Sequence, residues 1–294
     1  MIFFKNLIFD FSLPRSAKIV TINRDPDELT KNTDLFWKPK EAVQSDPCDF
    51  LLEVLDGSNS SNYVDWLATC KESDKKRDLE ILEKAKAPAN GMINPLNIFK
   101  QLDDILPDDS ILVADGGDFV ATASYILRPR SPLSWLDPGP YGTLGVGGGF
   151  AVGAATIYPD RPIFIIYGDG SAGYSLVEVD TAKRHNLNKI KVLIGENCDY
   201  FAQNNHFIIG NDGAWTQILR AQEQILGSPI ANILTQSDYH KMAHAFECNG
   251  EIIRGGSDSE IRDQLLKLTN SNDTPSVLNA LIGSTDFREG SISV

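Results

Sequence analysis

Cysteine is scarce in this chain of 294 residues, and what there is forms no pattern: Cys48, Cys70, Cys198 and Cys248 stand far apart, with no CxxC pair. That spacing excludes a zinc ribbon, a dithiol redox centre and a disulfide framework, and leaves buried thiols. Also missing is any run of about 18 apolar residues, the length a membrane-spanning helix needs. The opening "MIFFKNLIFDFSLPRSAK" is apolar but interrupted by Lys5 and Asp10, and it carries no small-residue cleavage signature. It reads as a strand or a lead-in and not as a signal peptide. Positive charge is in short supply too, with 27 basic residues against 40 acidic ones and a formal charge of −13. That balance argues against nucleic acid or an anionic membrane as the main partner. An acidic chain that handles phosphate groups must do so with backbone N–H groups or a metal ion.

Familiar nucleotide motifs are absent as well. There is no P-loop lysine, and "GPYGTLGVGGGFAVGAA" (139–155) fits no register of GxGxxG and follows a proline-rich loop instead of a strand. Its glycines and alanines predict a helix packed tightly on a neighbour. His240 and His244 lie one helical turn apart but lack the glutamate of HExxH, so they read as a helix surface; His185 reads as a partner for a helix C-terminal dipole.

What is present is a regular alternation. Residues 17–56 read strand, helix, strand, helix, a piece of an α/β unit too small for its own core. Residues 57–92 are polar and charged and form a helical linker. From residue 93 onward, apolar strands "SILVAD", "PIFIIYGDG", "KIKVLIG", "EIIR" and "SVLNALIG" alternate with helical segments. Nearly continuous apolar strands separated by helices predict an α/β fold with a doubly wound parallel sheet, covered on both faces.

In such sheets ligands bind beyond the carboxyl ends of the strands. The glycine- and acid-rich segments fall there: "ADGGD" (114–118) and "GDGS" (168–171). Gly168 and Gly170 permit a sharp turn and close approach to a ligand, and the following helix presents free N–H groups. Asp169 between them is a hard oxygen ligand suited to Mg²⁺. An ordinary Asp-Gly turn with a helix cap gives the same local sequence. Asp118 reads equally as a site residue or as a helix N-cap. Beyond "VLIGEN" (192–197), a second apparent strand ending follows at "FIIGND" (207–212).

The blocks "YGTLGVGGGFAVGAA" and "IIYGDGSAGYSLVEVDTAKRHNL", followed by a strand ending in Asn-Asp, resemble the diphosphate-binding domain of thiamine-diphosphate enzymes of the acetolactate synthase type. Within that group, "DGGDFVATA", "WLDPGPYGTLGVGGG", "GAWTQILRAQ", "SDYHKMA" and "LIGSTDFREGSISV" resemble the acetolactate synthase-like branch. Its animal members act as 2-hydroxyacyl-CoA lyases of the endoplasmic reticulum. The resemblance covers residues 15–294. It implies that 1–56 is a remnant of a middle α/β domain and 93–294 the thiamine-diphosphate-binding domain.

It further implies that Asp169 ligates Mg²⁺ and that Gly168, Gly170, Ser171 and Ala172 cradle the diphosphate. Gly116, Gly117 and Asp118 line the diphosphate or pyrimidine side. Thr143 and Leu144 sit where the family places the bulky residue beneath the bent cofactor, although plain core packing is an equal reading of Leu144. Counting from Asp169 to the expected second ligand reaches Glu196, beside Asn197. The family pattern, however, continues from Asn-Asp into Gly-Trp-Thr-Gln, which "NDGAWTQI" (211–218) supplies. Asn211 and Asp212 are therefore the expected further metal ligands, with 196–210 as an insertion.

The implied reaction splits a 2-hydroxyacyl-CoA into formyl-CoA and an aldehyde one carbon shorter. The glutamate that activates the cofactor belongs to a separate domain in the family and is not found here, so no catalytic residue is assigned and the chain is expected to be inactive alone. An acetolactate synthase-type carboligase or decarboxylase, a non-catalytic cofactor-binding subunit and a nucleotide-binding α/β protein remain the alternatives. The expected partners are a small acyl-CoA and, in a full-length form, further copies of the chain; location in the endoplasmic reticulum follows from the resemblance alone.

An insertion between a strand tip and a metal ligand is unexpected, because such sites tolerate displacements of only ~0.5 Å. Gly-Glu can be encoded with GTGAG across its codons and Ile-Gly with ATAG, both splice-site-like, and the fifteen codons of 196–210 keep the frame. A retained short intron accounts for these features; the alternative is a real functional loop, whose closure entropy grows only slowly with length. Sequencing transcripts across 194–211 should reveal messages without the extra codons; their presence in every message overturns the explanation.

Overall fold

The computed structural model describes residues 16, 18–31, 38–56, 63–87, 89, 92–197, 215–228, 230–234, 237–271, 273–283, 285 and 287. The chain divides between Lys75 and Lys76 into two units.

In the first unit, β1 (Val20–Asn23) runs parallel to β2 (Glu41–Gln44), joined through the short helix α1 (Pro26–Leu29). Asp25 caps α1 by accepting the Asp27 N–H, and Pro26 supplies a preset φ at the first helical position. Helix α2 (Pro47–Asp56) follows. Leu29 is buried, whereas Leu51, Leu52, Val54 and Leu55 on α2 are exposed. Two strands and two short helices bury too little to enclose α2's apolar side chains. The boundary between the units falls inside α3 (Val64–Ala85), within the segment expected to be a linker.

The second unit is a parallel sheet of six strands in the order β4-β3-β5-β6-β8-β7. The strands are β3 (Ile111–Asp115), β4 (Trp135–Leu136), β5 (Ile163–Gly168), β6 (Ile190–Asn197), β7 (Asn249–Ile253) and β8 (Ser276–Ile282). Side chains alternate across it. Leu112, Ala114, Phe164, Ile166, Leu193, Leu278 and Ala280 join one core with α4 (Pro95–Ile105), α5 (Asp118–Ile126) and α11 (Asp258–Asn270). Ile111, Val113, Ile163, Ile165, Tyr167, Val192, Ile194 and Val277 join the other. That second face is covered by α6 (Gly147–Ile157), α7 (Asp169–Ser175), α8 (Glu178–Arg184) and α10 (Tyr239–Ala245). Helix α9 (Thr216–Leu226) precedes α10. Asn94 caps α4, and Ser257 with Glu260 forms a capping box at the start of α11.

The doubly wound parallel sheet is the fold that the sequence predicts. From β3 the chain moves outward to the edge strand β4, then crosses back to lay β5 on the other side of β3. This reversal makes the carboxyl ends of β3 and β5 the switch point of the sheet, where open α/β folds form their crevice. "ADGGD" and "GDGS" end those two strands.

Three local expectations change. The proline-rich segment 128–145, which reads as loop, contains the two-residue edge strand β4. The segment after "GDGS", which the sequence presents as one helix over 174–185, is two helices, and the first begins at Asp169; i→i+3 bonds from Val179 to Leu176 and from Asp180 to Val177 tighten the joint between them. His240 is buried, not a surface residue, because Gly250 lets β7 pass against the backbone carbonyl of His240 while His244 Nε2 meets the Gly250 carbonyl at 2.8 Å.

Lys191 is only 1% exposed near the amino end of β6, its ammonium held by the carbonyls of Asn188 and Ser271. Burial lowers its pKa to about 8. Because the unfolded chain then binds more protons between pH ~8 and ~10.4, this group raises stability as pH climbs through that window, by on the order of 2 kcal/mol. Lys191→Met should remove that component, so the wild-type minus variant difference in denaturation free energy should rise from pH 7 to pH 10; a flat difference contradicts it.

Candidate functional site

The crevice is built on a close approach of backbones. Gly116, the residue after β3, has φ +155°, and a Cβ there would stand 2.8 Å from the Gly168 amide nitrogen and 3.1 Å from Ser171 Oγ. Only glycine accepts both the conformation and the contact. The Ser171 hydroxyl lies within hydrogen-bond distance of the Asp115 and Gly168 carbonyls, lacing the ends of β3 and β5 together. Ser171, expected to cradle a diphosphate, is thus engaged with the strand tips.

Asp169 occupies the first position of α7, with Gly168 as an extended N-cap. The residue is 7% exposed and its Oδ1 accepts the Gly170 N–H at 2.9 Å. An acid in a first helical turn is favoured by the helix dipole. Ala172 is fully buried beneath it. Gly117 is the N-cap of α5 and Asp118 its first residue, so Asp118 is not itself the cap. Gly116, Gly117 and Asp118 are half-buried beside the turn of β5; Thr143 is exposed and Leu144 half-buried.

β6 pairs with β5 up to Gly168↔Gly195 and continues against β8 through Asn197↔Ile282. The first two residues of the expected insertion, Glu196 and Asn197, therefore extend the strand. Residues 198–210, and with them Asn211 and Asp212, lie outside the described residues. Among the described residues no cluster of three or more His, Cys, Asp or Glu side chains is placed to hold a metal.

Three residues that the sequence pattern does not mark as site residues converge on it. Trp215 lays its ring on Gly170, where a Cβ would meet ring carbons at 2.6–2.9 Å, and its ring centroid is 6.1 Å from that of Tyr174. The Tyr239 hydroxyl donates to the Asp169 carbonyl at 2.9 Å. Both sit in the blocks "GAWTQILRAQ" and "SDYHKMA", which signalled a relationship but not a role. Asp115 is the third. It is fully buried, and its carboxylate accepts the N–H groups of Gly145 (3.0 and 3.1 Å to its two oxygens) and Gly147 (2.7 Å). Burial raises its pKa above the ordinary carboxylate value, and the N–H donors of Gly147, Gly145 and Val146 offset part of the rise. An acid closing the otherwise apolar strand "ILVAD" was the available signal. On the same face, burial also raises the pKa of Tyr167, whose hydroxyl lies 2.7 Å from Ser175 Oγ.

The arrangement suits a diphosphate and a hard cation: two strand ends meet at a glycine that a Cβ would fill, and a carboxylate of low exposure opens the next helix. Gly170→Ala should push Trp215 off the turn, shifting its fluorescence to the red and costing about 1–3 kcal/mol in unfolding free energy. An unchanged spectrum and denaturation midpoint would contradict this packing.

Residues 115–280 match the family described as "Thiamine pyrophosphate enzyme, C-terminal TPP binding domain". Similar curated proteins include 2-hydroxyacyl-CoA lyase 2 of Caenorhabditis elegans, 44% identical over 98% of this chain and 44% of that protein. The human protein of the same name is 42% identical over 96% of this chain and 43% of its own length. A probable acetolactate synthase of Mycobacterium bovis is 30% identical over 78% and 39%. The chain spans less than half the length of these relatives. With its parallel sheet, its glycine-bound strand ends and that match, the chain belongs to the thiamine pyrophosphate enzymes and carries their C-terminal TPP-binding domain.

Proposed function

We propose that this chain is the thiamine-diphosphate- and Mg²⁺-binding part of a lyase that cleaves 2-hydroxyacyl-CoA into formyl-CoA and an aldehyde one carbon shorter. The observation that carries the proposal is the meeting of Gly116, Gly168 and Asp169 at the switch point, inside a chain with 42–44% identity to proteins named 2-hydroxyacyl-CoA lyase 2. The lower identity, 30%, to a protein named acetolactate synthase makes carboligation or decarboxylation the second reading.

Asp169 would hold Mg²⁺, and the backbone of Gly168 and Gly170 would face the diphosphate. Asn211 and Asp212 would complete the metal's protein ligands. When bound, thiamine diphosphate supplies the electron sink for carbon–carbon cleavage. The chain's own contribution is to fix the diphosphate end against the sheet and to place Leu144 beneath the cofactor rings, a proximity effect. The same reading includes an oligomeric full-length enzyme in the endoplasmic reticulum.

Calorimetry of the chain with Mg²⁺ and thiamine diphosphate should register binding that Asp169→Ala removes. No aldehyde should form from 2-hydroxyacyl-CoA with this chain alone, because the activating glutamate is supplied from elsewhere. Binding without turnover supports the proposal, no binding refutes the cofactor assignment, and turnover by the isolated chain refutes its dependence on a further domain.

A further inference from the structure

Asp115 is an expensive residue to place where it stands. Its side chain has no exposure, and what offsets its burial is backbone N–H groups. Its charge is met by backbone N–H groups of one short segment, those of Gly145 and Gly147. An ionised carboxylate accepts through two oxygens, and here both are used: Gly145 meets both, and Gly147 meets Oδ2. The segment has little freedom to answer in any other way. Gly145 stands at φ +89°, with Tyr174 Cβ 2.7 Å from where its own Cβ would be. A Cβ on Gly147 would lie 2.8 Å from Asp115 Cβ. The backbone is therefore pressed between the carboxylate on one side and α7 on the other.

The gripped Gly145 nitrogen belongs to the peptide unit that joins Leu144 to Gly145. The Asp115 carbonyl meanwhile meets the Ser171 hydroxyl at the start of α7. One residue thus ties the segment carrying Leu144 to the turn carrying Asp169. We propose that Asp115 is a positioning residue, which sets the height of Leu144 above the diphosphate turn and so the fit of the thiamine rings. The inference rests on the cofactor reading above and deepens it.

The test uses two probes on the same chain, Mg²⁺ with inorganic pyrophosphate and Mg²⁺ with thiamine diphosphate, each followed by calorimetry. Pyrophosphate engages the turn alone; thiamine diphosphate engages the turn and the segment above it. Asp115→Asn, which keeps the size but leaves one acceptor oxygen, should weaken thiamine diphosphate by at least about tenfold and pyrophosphate by less than about twofold. Leu144→Ala should give the same split, and the double variant should be no worse than the single ones, because the two act through one contact. Gly147→Ala keeps the carboxylate and displaces the clamp from the other side; it carries the test should Asp115→Asn fail to fold. Equal losses for both probes, or none, overturn the proposal, as does an additive double variant. Wild-type chain that binds neither probe overturns the cofactor reading and the inference with it, an outcome distinct from the others.

Discussion

The parallel pairing of β3 with β5, in the register Asp115↔Tyr167, is the constraint on which the rest of the site depends. The strands are neighbours in the sheet but separated in the chain by α5, β4 and α6. That crossover makes their carboxyl ends a crevice instead of a flush edge. Each strand then ends in residues that only this register brings together: Gly116 against the Gly168 amide, and Ser171 between two carbonyls. A slip of one residue would send Asp115 to the opposite face, away from α6, and leave the amides of Gly145 and Gly147 without their acceptor.

The electrostatics follow from the same geometry. The chain carries a formal charge of −13, and backbone N–H groups meet acids of the crevice: Asp115 takes those of Gly145 and Gly147, and Asp169 that of its neighbour Gly170. Such backbone dipoles answer a carboxylate's charge without introducing a counter-charge of their own. Surface ion pairs such as Arg184–Asp180 and Lys241–Asp238 lie on the helices around it and are worth little individually.

Much of this was legible in the sequence because the strands are uniformly apolar. "SILVAD", "PIFIIYG" and "SVLNALIG" leave no choice but a sheet covered on both faces, and the glycine-flanked acids had to fall at strand ends. Sequence pattern was less informative where tertiary contact overrides it. Nothing in "YHKMAHAFECNG" discloses that Gly250 admits α10 close enough to bury His240. Nor does "GDGSAGYSLVEV" disclose that the helix starts at the acid and breaks after Ser175. Asp115 was visible as an acid at a strand end, but its ligands lie thirty and thirty-two positions further on and could be found only in the folded chain. Trp215 and Tyr239 belong to the same class, residues whose role is defined by the turn they reach.

The Ser171 hydroxyl has one proton and two carbonyls within reach, at the tips of two adjacent strands. With the proton donated to the Asp115 carbonyl, the serine ties the end of β3 to the helix that opens after β5, so the mouth of the crevice is preset before anything enters it. A guest arriving there finds its amide walls already in place and spends little of its binding free energy on rearranging them. Affinity at this mouth should then be governed by the guest's own shape and charge, with rigidity as the source of selectivity.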